Sequence, residues 1–193
     1  MDFMILRATT KDAPFLAETV MSAIGEDHCI QMAGGEYRLP LLRKFFTLLA
    51  VSEVSQYSYR NAFVAYTRRG ERAGAIICYD GADLERLRQP FIDEANRLLG
   101  WDITAAQMKP ETSDDEMYLD SLMVLPKFRR QGLGRKLIGK AAEKAAIARK
   151  PLGLLVDFDN PSARNLYAGA GFKNVGERPF AGKMMEHMQL PTD

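Results

Sequence analysis

Between Lys127 and Arg135 the chain reads KFRRQGLGR, a run whose residue types suit an anionic phosphate group. Arg129 and Arg130, with Lys127 just ahead, supply positive charge, and Gly132 and Gly134 let an anion approach the backbone without meeting a Cβ. A helix that opens here leaves its first amides, from Gln131 through Leu133 to Gly134, without partners inside the helix. The aligned peptide dipoles add about half a positive charge at that end. The chemistry implied is a cradle for a pyrophosphate. Just upstream, Asp120 is a carboxylate among apolar neighbours in YLDSLMV. Burying a lone charge is costly, so Asp120 should be paired, raised in pKa or turned to a cleft.

The elements that must position these groups are legible nearby. Tyr118 to Val124 is aromatic and aliphatic, as a buried strand is, and Pro126 ends it by removing a ladder donor. Period-two alternation puts Tyr118, Asp120, Leu122 and Val124 on one face and Leu119, Ser121 and Met123 on the other. From Gly132 onward, Leu133, Leu137, Ile138, Ala141 and Ala145 recur at helical spacing, with Arg135, Lys136, Lys140 and Lys144 outside. A Gly-x-Gly after a strand also opens Rossmann units and P-loops. Here no Lys-Ser/Thr pair follows the second glycine, Leu137 stands where a Rossmann third glycine belongs, and the unit lies in the C-terminal half. A solvated basic turn without a ligand is the remaining alternative.

Arg129-x-x-Gly132-x-Gly134, following an apolar strand and Pro126, resembles motif A of the GNAT superfamily of acetyl-CoA-dependent N-acetyltransferases, Arg/Gln-x-x-Gly-x-Gly/Ala. A second block, Asn160-Pro161-Ser162-Ala163-Arg164-Asn165-Leu166-Tyr167 and then Gly171-Phe172, resembles motif B of the same family, Asn-x-x-Ala-x-x-Leu-Tyr-x-x-x-Gly-Phe. The match runs from Leu119 to about Val175, and Phe63 to Tyr79 fits the preceding hairpin. The first 60 residues and Ala82 to Thr112 carry nothing diagnostic. The resemblance implies an α/β (α+β) fold: a mixed, mostly antiparallel twisted sheet of about six or seven strands, splayed at its centre and flanked by helices. It implies one domain over 1–193 with a helical insertion at about 82–112.

It also implies a reaction. Acetyl-CoA is the expected co-substrate, with no metal, and the acceptor is expected to be a primary amine of a small molecule that attacks directly in a ternary complex. An alkyl ammonium has a pKa of about 10.4, so a base must take a proton before the nitrogen can attack. By resemblance to polyamine-type members Asp120 is the candidate base, with a structural carboxylate the equal alternative; Glu116 is the runner-up. Tyr167, at the motif B tyrosine position, is the candidate general acid for the departing thiolate. The cofactor-binding set is Leu122, Met123, Val124, Arg129, Arg130, Gln131, Gly132, Leu133, Gly134, Arg135, Asn160 and Arg164. Leu122 and Val124 would act through their main chain, Asn160 by capping the motif B helix and reaching the pantetheine arm, and Arg164 by meeting a phosphate or only water. A non-catalytic acyl-CoA sensor, or an enzyme acting on a protein amino terminus or lysine, is the alternative function.

Composition is consistent with these expectations. The chain has 193 residues, 47% of them hydrophobic, enough for a sizeable core, and a formal net charge of +1 gives no general drive toward nucleic acid or membranes. The amino terminus MDFMILRATT lacks a leader pattern and no apolar run reaches about 18 residues, so a cytoplasmic location is expected. A homodimer is compatible with the resemblance. Cys29 and Cys78 form no CxxC and have no ligand cluster, so they read as reduced bystanders; His28 reads as a loop neighbour.

The remaining elements follow from local pattern. Met4 to Ala8 reads as a strand, Thr10 and Asp12 with Pro14 start a helix to about Ile24, and Gly25 to Gly35 reads as a loop. Leu39 to Val51 is helical. Tyr59 to Tyr66 pairs with Ala73 to Tyr79 across Gly70. Ala82 to Leu99 is an amphipathic helix with Leu84, Leu87, Phe91, Ala95 and Leu98 inward and charges outward. An acidic run, Glu111, Asp114, Asp115 and Glu116, leads into the Tyr118 strand; Leu152 to Phe158, Phe172 to Glu177 and Lys183 to Leu190 are further strands. The resemblance builds the acceptor cleft from Gly25 to Tyr37 and Arg178 to His187. Glu26, Asp27 and Glu36 could attract a cation, Tyr57 and Tyr59 could line the cleft, and Met184, Met185 and Met188 read as core.

Overall fold

The computed structural model of the chain describes residues 2–191, so positions 1, 192 and 193 of the expected 1–193 span lie outside the described residues. Seven strands form one sheet in the order β1 (Phe3–Arg7), β2 (Ala62–Thr67), β3 (Arg72–Asp80), β4 (Met117–Val124), β5 (Leu152–Val156), β7 (Lys183–Leu190), β6 (Lys173–Phe180). All neighbours are antiparallel except β4 and β5. This is the mixed, mostly antiparallel sheet that the resemblance implies. β2 and β3 meet through a tight turn at Gly70, whose φ of +79° is one that L side chains rarely adopt. The parallel step needs a crossover, and α5 (Leu133–Ala148) supplies it.

Apolar stripes fix the helices on the sheet. α5 lays Leu133, Leu137, Ile138, Ala141 and Ala145 on one face, against Leu119, Leu152 and Leu154. On the other face α1 (Ala13–Ile24) and α3 (Leu39–Val51) bring Leu16, Val20, Phe45, Phe46 and Leu49 against Val64, Ala75, Ile77 and Met123. Leu137 is fully buried, and burying such a side chain is worth about 1.5–3 kcal/mol. α5 is therefore held in one register, with its N-terminus beside the end of β4.

Several elements differ from the sequence reading. Gly25 to Gly35, expected as a loop, holds α2 (Glu26–Ala33), and the glycines mark its ends: Gly25 at φ 91° and Gly34 at φ 79°. Glu26 and Asp27 fall in its first turn, where the helix dipole favours negative charge. β2 starts at Ala62, because Tyr59–Asn61 forms a 3-10 turn capped by Ser58. The helix expected over Ala82 to Leu99 is α4 (Leu84–Glu94), continued by a π turn at Ala95–Leu99. Of the methionines read as core, Met188 is buried but Met184 lies exposed near the β6–β7 turn. No helix of the described residues is long and apolar enough to cross a membrane.

Candidate active site

β4 and β5 pair only at Met117 with Leu152 and at Tyr118 with Gly153, and beyond that point they part. The Leu125 amide donates to the Ala73 carbonyl of β3. Alternation then turns the Met123 amide to β3 as well and leaves the amides of Leu122 and Val124 facing the gap. Met123, placed with the cofactor-binding residues by sequence, thus spends its main chain on the ladder and its side chain on the α1–α3 core. The Val124 carbonyl, on the gap side, accepts from Arg129 Nε at 3.0 Å. That bond fixes Arg129 against the strand end.

The basic run forms the turn into α5. A 3-10 turn at Pro126–Phe128 is followed by Arg130 at φ 57° and Gly132 at φ 75°, the N-cap of α5. The first helical bond runs from the Lys136 amide to the Gly132 carbonyl. Among the described residues, the amides from Arg130 to Arg135 have no backbone partner. A Cβ built on Gly132 would meet nothing within 4 Å, so that side of the turn is open to a ligand. At Gly134 a Cβ would stand 3.4 Å from Leu166 of α6 (Pro161–Gly169), an ordinary van der Waals contact, so α6 packs beside this turn. Leu133 is buried and offers only its amide, while Gln131, Arg130 and Arg135 are exposed.

Asp120 occupies a break in the β3–β4 ladder. Ile77 faces Ser121 and Cys78 faces Leu119, so Asp120 is the extra residue of a β-bulge. The bulge shifts the alternation by one. Met117 and Leu119 pack with α5, and so do Leu122 and Val124, whereas Met123 packs on the other face. The expected placement of Asp120 on the face of Leu122 and Val124 is therefore corrected, because an inserted residue moves every later side chain to the opposite face. Asp120 instead shares the side of Tyr79 and Ser121, whose hydroxyls lie 3.3 and 2.7 Å from its two oxygens.

Around it lies a polar network that the sequence reading missed. The Tyr79 hydroxyl is also 3.1 Å from Glu111 Oε1, Glu111 is ion-paired with Arg88 of α4, and Gln56 Nε2 donates to Glu111 at 3.4 Å. Glu111, Arg88 and Gln56 are all buried. Burial pushes the Asp120 carboxyl up to about 7; the Ser121 hydroxyl opposes that rise and the Glu111 charge adds to it. Burial, and after it the Asp120 charge, holds the phenols of Tyr57, Tyr79 and Tyr118 well above their ordinary range, so they are neutral hydrogen-bonding groups. A carboxyl near 7 in a half-buried setting can take up and release a proton at neutral pH. Tyr59, read as a cleft aromatic, instead bonds Glu53 on the exterior, and Tyr57 packs on Phe46 and Phe91.

Glu116 is not a solvated carboxylate. It is fully buried, with His187 Nε2 at 2.8 Å, Gln189 Nε2 at 2.7 Å, Thr112 Oγ1 at 2.8 Å and the Ser113 amide at 3.2 Å. Burial works against its ionised form, yet the bonds from His187, Gln189 and Thr112 bring its pKa down to about 2. Such a group is a poor base, and its donors tie the start of β4 to β7 through His187 and Gln189 and to the preceding turn through Thr112 and Ser113; its candidacy as the runner-up base is corrected on that ground.

The motif B residues divide. Asn160 caps α6, accepting from the Ala163 amide at 3.0 Å, as expected. Arg164 pairs with Glu186 of β7 and lies over the Phe158 ring. Tyr167 stacks near Phe172 at 5.6 Å, makes no hydrogen bond to the protein among the described residues, and is pushed by burial up to about 12.

Comparison with known proteins agrees with this geometry. The model of the Acetyltransferase (GNAT) family matches residues 54–172. A crystal structure of an acetyltransferase is 30% identical, covers 98% of this chain and 100% of its own, and superposes with a TM-score of 0.78. An N-acetyltransferase from Staphylococcus aureus Mu50 is 20% identical, over 97% of this chain and 100% of its own, with a TM-score of 0.73. Mutant forms of the spermidine/spermine N-acetyltransferase SpeG from Vibrio cholerae share the fold at 14% identity over 98% and 94% of the two chains, with a TM-score of 0.54. No curated protein matches the chain. With a parted β4–β5 pair, an open amide turn at the head of α5 and a family match over most of the chain, this protein belongs to the GNAT acetyltransferase family.

Proposed function

We propose that the protein transfers an acetyl group from acetyl-CoA to a primary amine of a small molecule, by direct attack within a ternary complex. The observation that carries this reading is Asp120: a carboxyl pushed up to about 7, on a bulge of β4, beside the gap where β4 and β5 part. Acetyl-CoA supplies the activated acyl group and a thiol leaving group. The open side of Gly132 and the partnerless amides from Arg130 to Arg135 fit its pyrophosphate, with Arg129 and Arg130 adding charge. The Leu122 and Val124 amides, turned to the gap, suit its amide-bearing arm and the acyl oxygen.

Asp120 then receives the proton that an ammonium must lose before its nitrogen can attack. The enclosure of that carboxyl by Tyr79, Tyr118, Gln56 and the segment carrying Arg88 and Glu111 favours a compact amine over a folded protein surface. Tyr167 is a refined case. At about 12 its phenol is a weaker acid than a thiol, whose pKa is about 8.5. It therefore acts by donating a hydrogen bond to the departing sulfur rather than by giving up its proton. Calorimetry with coenzyme A, together with thiol release over a panel of primary amines, tests the reading. Binding with release supports it; no binding to folded protein overturns it, and binding without release for any amine makes the protein a sensor.

A further inference from the structure

Tyr79 stands between two carboxylates. Its hydroxyl oxygen is 3.3 Å from Asp120 Oδ2 and 3.1 Å from Glu111 Oε1, and a phenol has one proton to give. When Asp120 is ionised, that proton serves Asp120. When Asp120 carries a proton, it donates to the Tyr79 oxygen, and the Tyr79 hydroxyl turns to Glu111, so that every donor in the chain has an acceptor. Glu111 is thus the acceptor that lets protonated Asp120 be satisfied in a half-buried setting beside the buried Tyr79 hydroxyl, where an unmade hydrogen bond is costly. Resting on the reading of Asp120 as the proton acceptor, we propose that Glu111 is a positioning residue for the transfer: held by Arg88, it directs the Tyr79 hydroxyl and so governs how readily Asp120 takes the proton of the attacking amine.

The groups facing Asp120 come from several elements. Ser121 of β4 donates at 2.7 Å, Gln56 of the segment before β2 also favours the ionised form, and the neutral phenols of Tyr57, Tyr79 and Tyr118 surround it. Arg88 of α4 spends its charge on Glu111 and on the carbonyls of Met108 and Lys109 at 3.3 and 3.2 Å. Glu111 is the negative charge that adds to the rise burial imposes on Asp120. Both Arg88 Nε and Gln56 Oε1 are buried without partners among the described residues. The Arg88–Glu111 pair is therefore held by the placement of α4 and the 105–112 stretch rather than by full satisfaction of its own donors. That cost would be hard to explain in a segment that only covers the sheet.

The test is the pH dependence of kcat/KM at saturating acetyl-CoA, measured for Glu111→Gln and Tyr79→Phe. Glu111→Gln removes a negative charge and offers Tyr79 an amide donor, which turns the phenol proton to Asp120. Its acid limb is expected at least about half a pH unit lower. Tyr79→Phe leaves the Arg88–Glu111 pair intact and removes a donor to ionised Asp120, so its limb is expected to move up by about as much. Should Glu111→Gln fail to fold, Tyr79→Phe decides alone. A limb that stays put in folded variants, or moves the other way, overturns the role of Glu111. Failure of the underlying reading looks different: Asp120→Asn would then keep the parent's acid limb, whereas loss of that limb in Asp120→Asn, with no shift in the other two, overturns this proposal alone.

Discussion

Asp120 accepts a hydrogen bond from its own neighbour, Ser121 Oγ, at 2.7 Å. In a regular strand two successive side chains point to opposite faces; here the bulge brings both to one face. Ser121 is buried and its hydroxyl stabilises the ionised carboxyl against the desolvation that drives it up to about 7. Ser121→Ala is therefore expected to move the acid limb of kcat/KM upward by roughly 0.5 to 1 pH unit. The rate at pH 6 should fall more than the rate at pH 8.5. A uniform loss at all pH values would mean that the hydroxyl acts only on packing.

Gly132 does two things that no other residue can do together. Its φ of +75° lies in the left-handed region, and its open side is where a phosphate would approach. Gly132→Val is expected to lose roughly 1–2 kcal/mol of stability to backbone strain, and to weaken coenzyme A binding at least about tenfold by obstructing the amides. Isothermal titration on material checked by circular dichroism separates the two effects. Affinity equal to the parent's would show that the anion does not bind at this turn.

Gly153 is needed for space. A Cβ there would lie 1.9 Å from Glu116 Oε2, inside the fully buried carboxylate that His187, Gln189 and Thr112 hold. Gly153→Ala is expected to cost about 3 kcal/mol or more in urea unfolding, because something in a paired buried charge must shift. The parent's pH dependence follows from the same carboxyl. Its folded pKa of about 2 is below the ordinary 4.5, so its contribution to stability is complete above about 4.5 and is lost as pH falls toward 2. Glu116→Gln should flatten that acid loss.

Tyr167→Phe tests the donor to the departing sulfur. The hydroxyl has no protein partner to lose among the described residues, and the ring's contacts with Phe172 and the α5-side core remain. A fall in kcat of roughly tenfold with unchanged coenzyme A affinity is expected. Parallel loss of affinity and rate would make the tyrosine a packing residue.

The sequence carried some of this and not the rest, for physical reasons. The strand at Tyr118, the stop at Pro126, the glycines and the α5 stripe are local signals, each set by neighbours within a few residues, and they locate the turn into α5 where the structure has it. The bulge is not local. It depends on how Ile77 and Cys78 line up with β4 across the sheet, so period-two alternation misplaces the residues after Asp120. Charge was the other weak guide. Glu116 reads as a runner-up base because its partner His187 lies 71 positions away, beyond the reach of any local pattern. Arg88 was within reach of sequence reasoning: it falls four residues after Leu84 and three before Phe91, on the apolar stripe of α4, and a cation on such a stripe requires a buried partner.

Asp120→Asn is the variant that bears most directly on the whole account. With its pKa raised from 3.8 to about 7, the folded parent holds an extra proton between those values, so stability falls as pH rises through that window and the cost is complete above about 7. The Asn variant should therefore be at least as stable as the parent at pH 8, and its activity can be read on folded protein. The measurement is kcat/KM for acetyl-CoA-dependent thiol release across pH 5.5 to about 9, with the best amine of the panel. A parent limb near 7 that disappears in Asp120→Asn, with activity down at least roughly a hundredfold, is the expected result. A folded Asp120→Asn enzyme with the parent's rate and the parent's limb would contradict it.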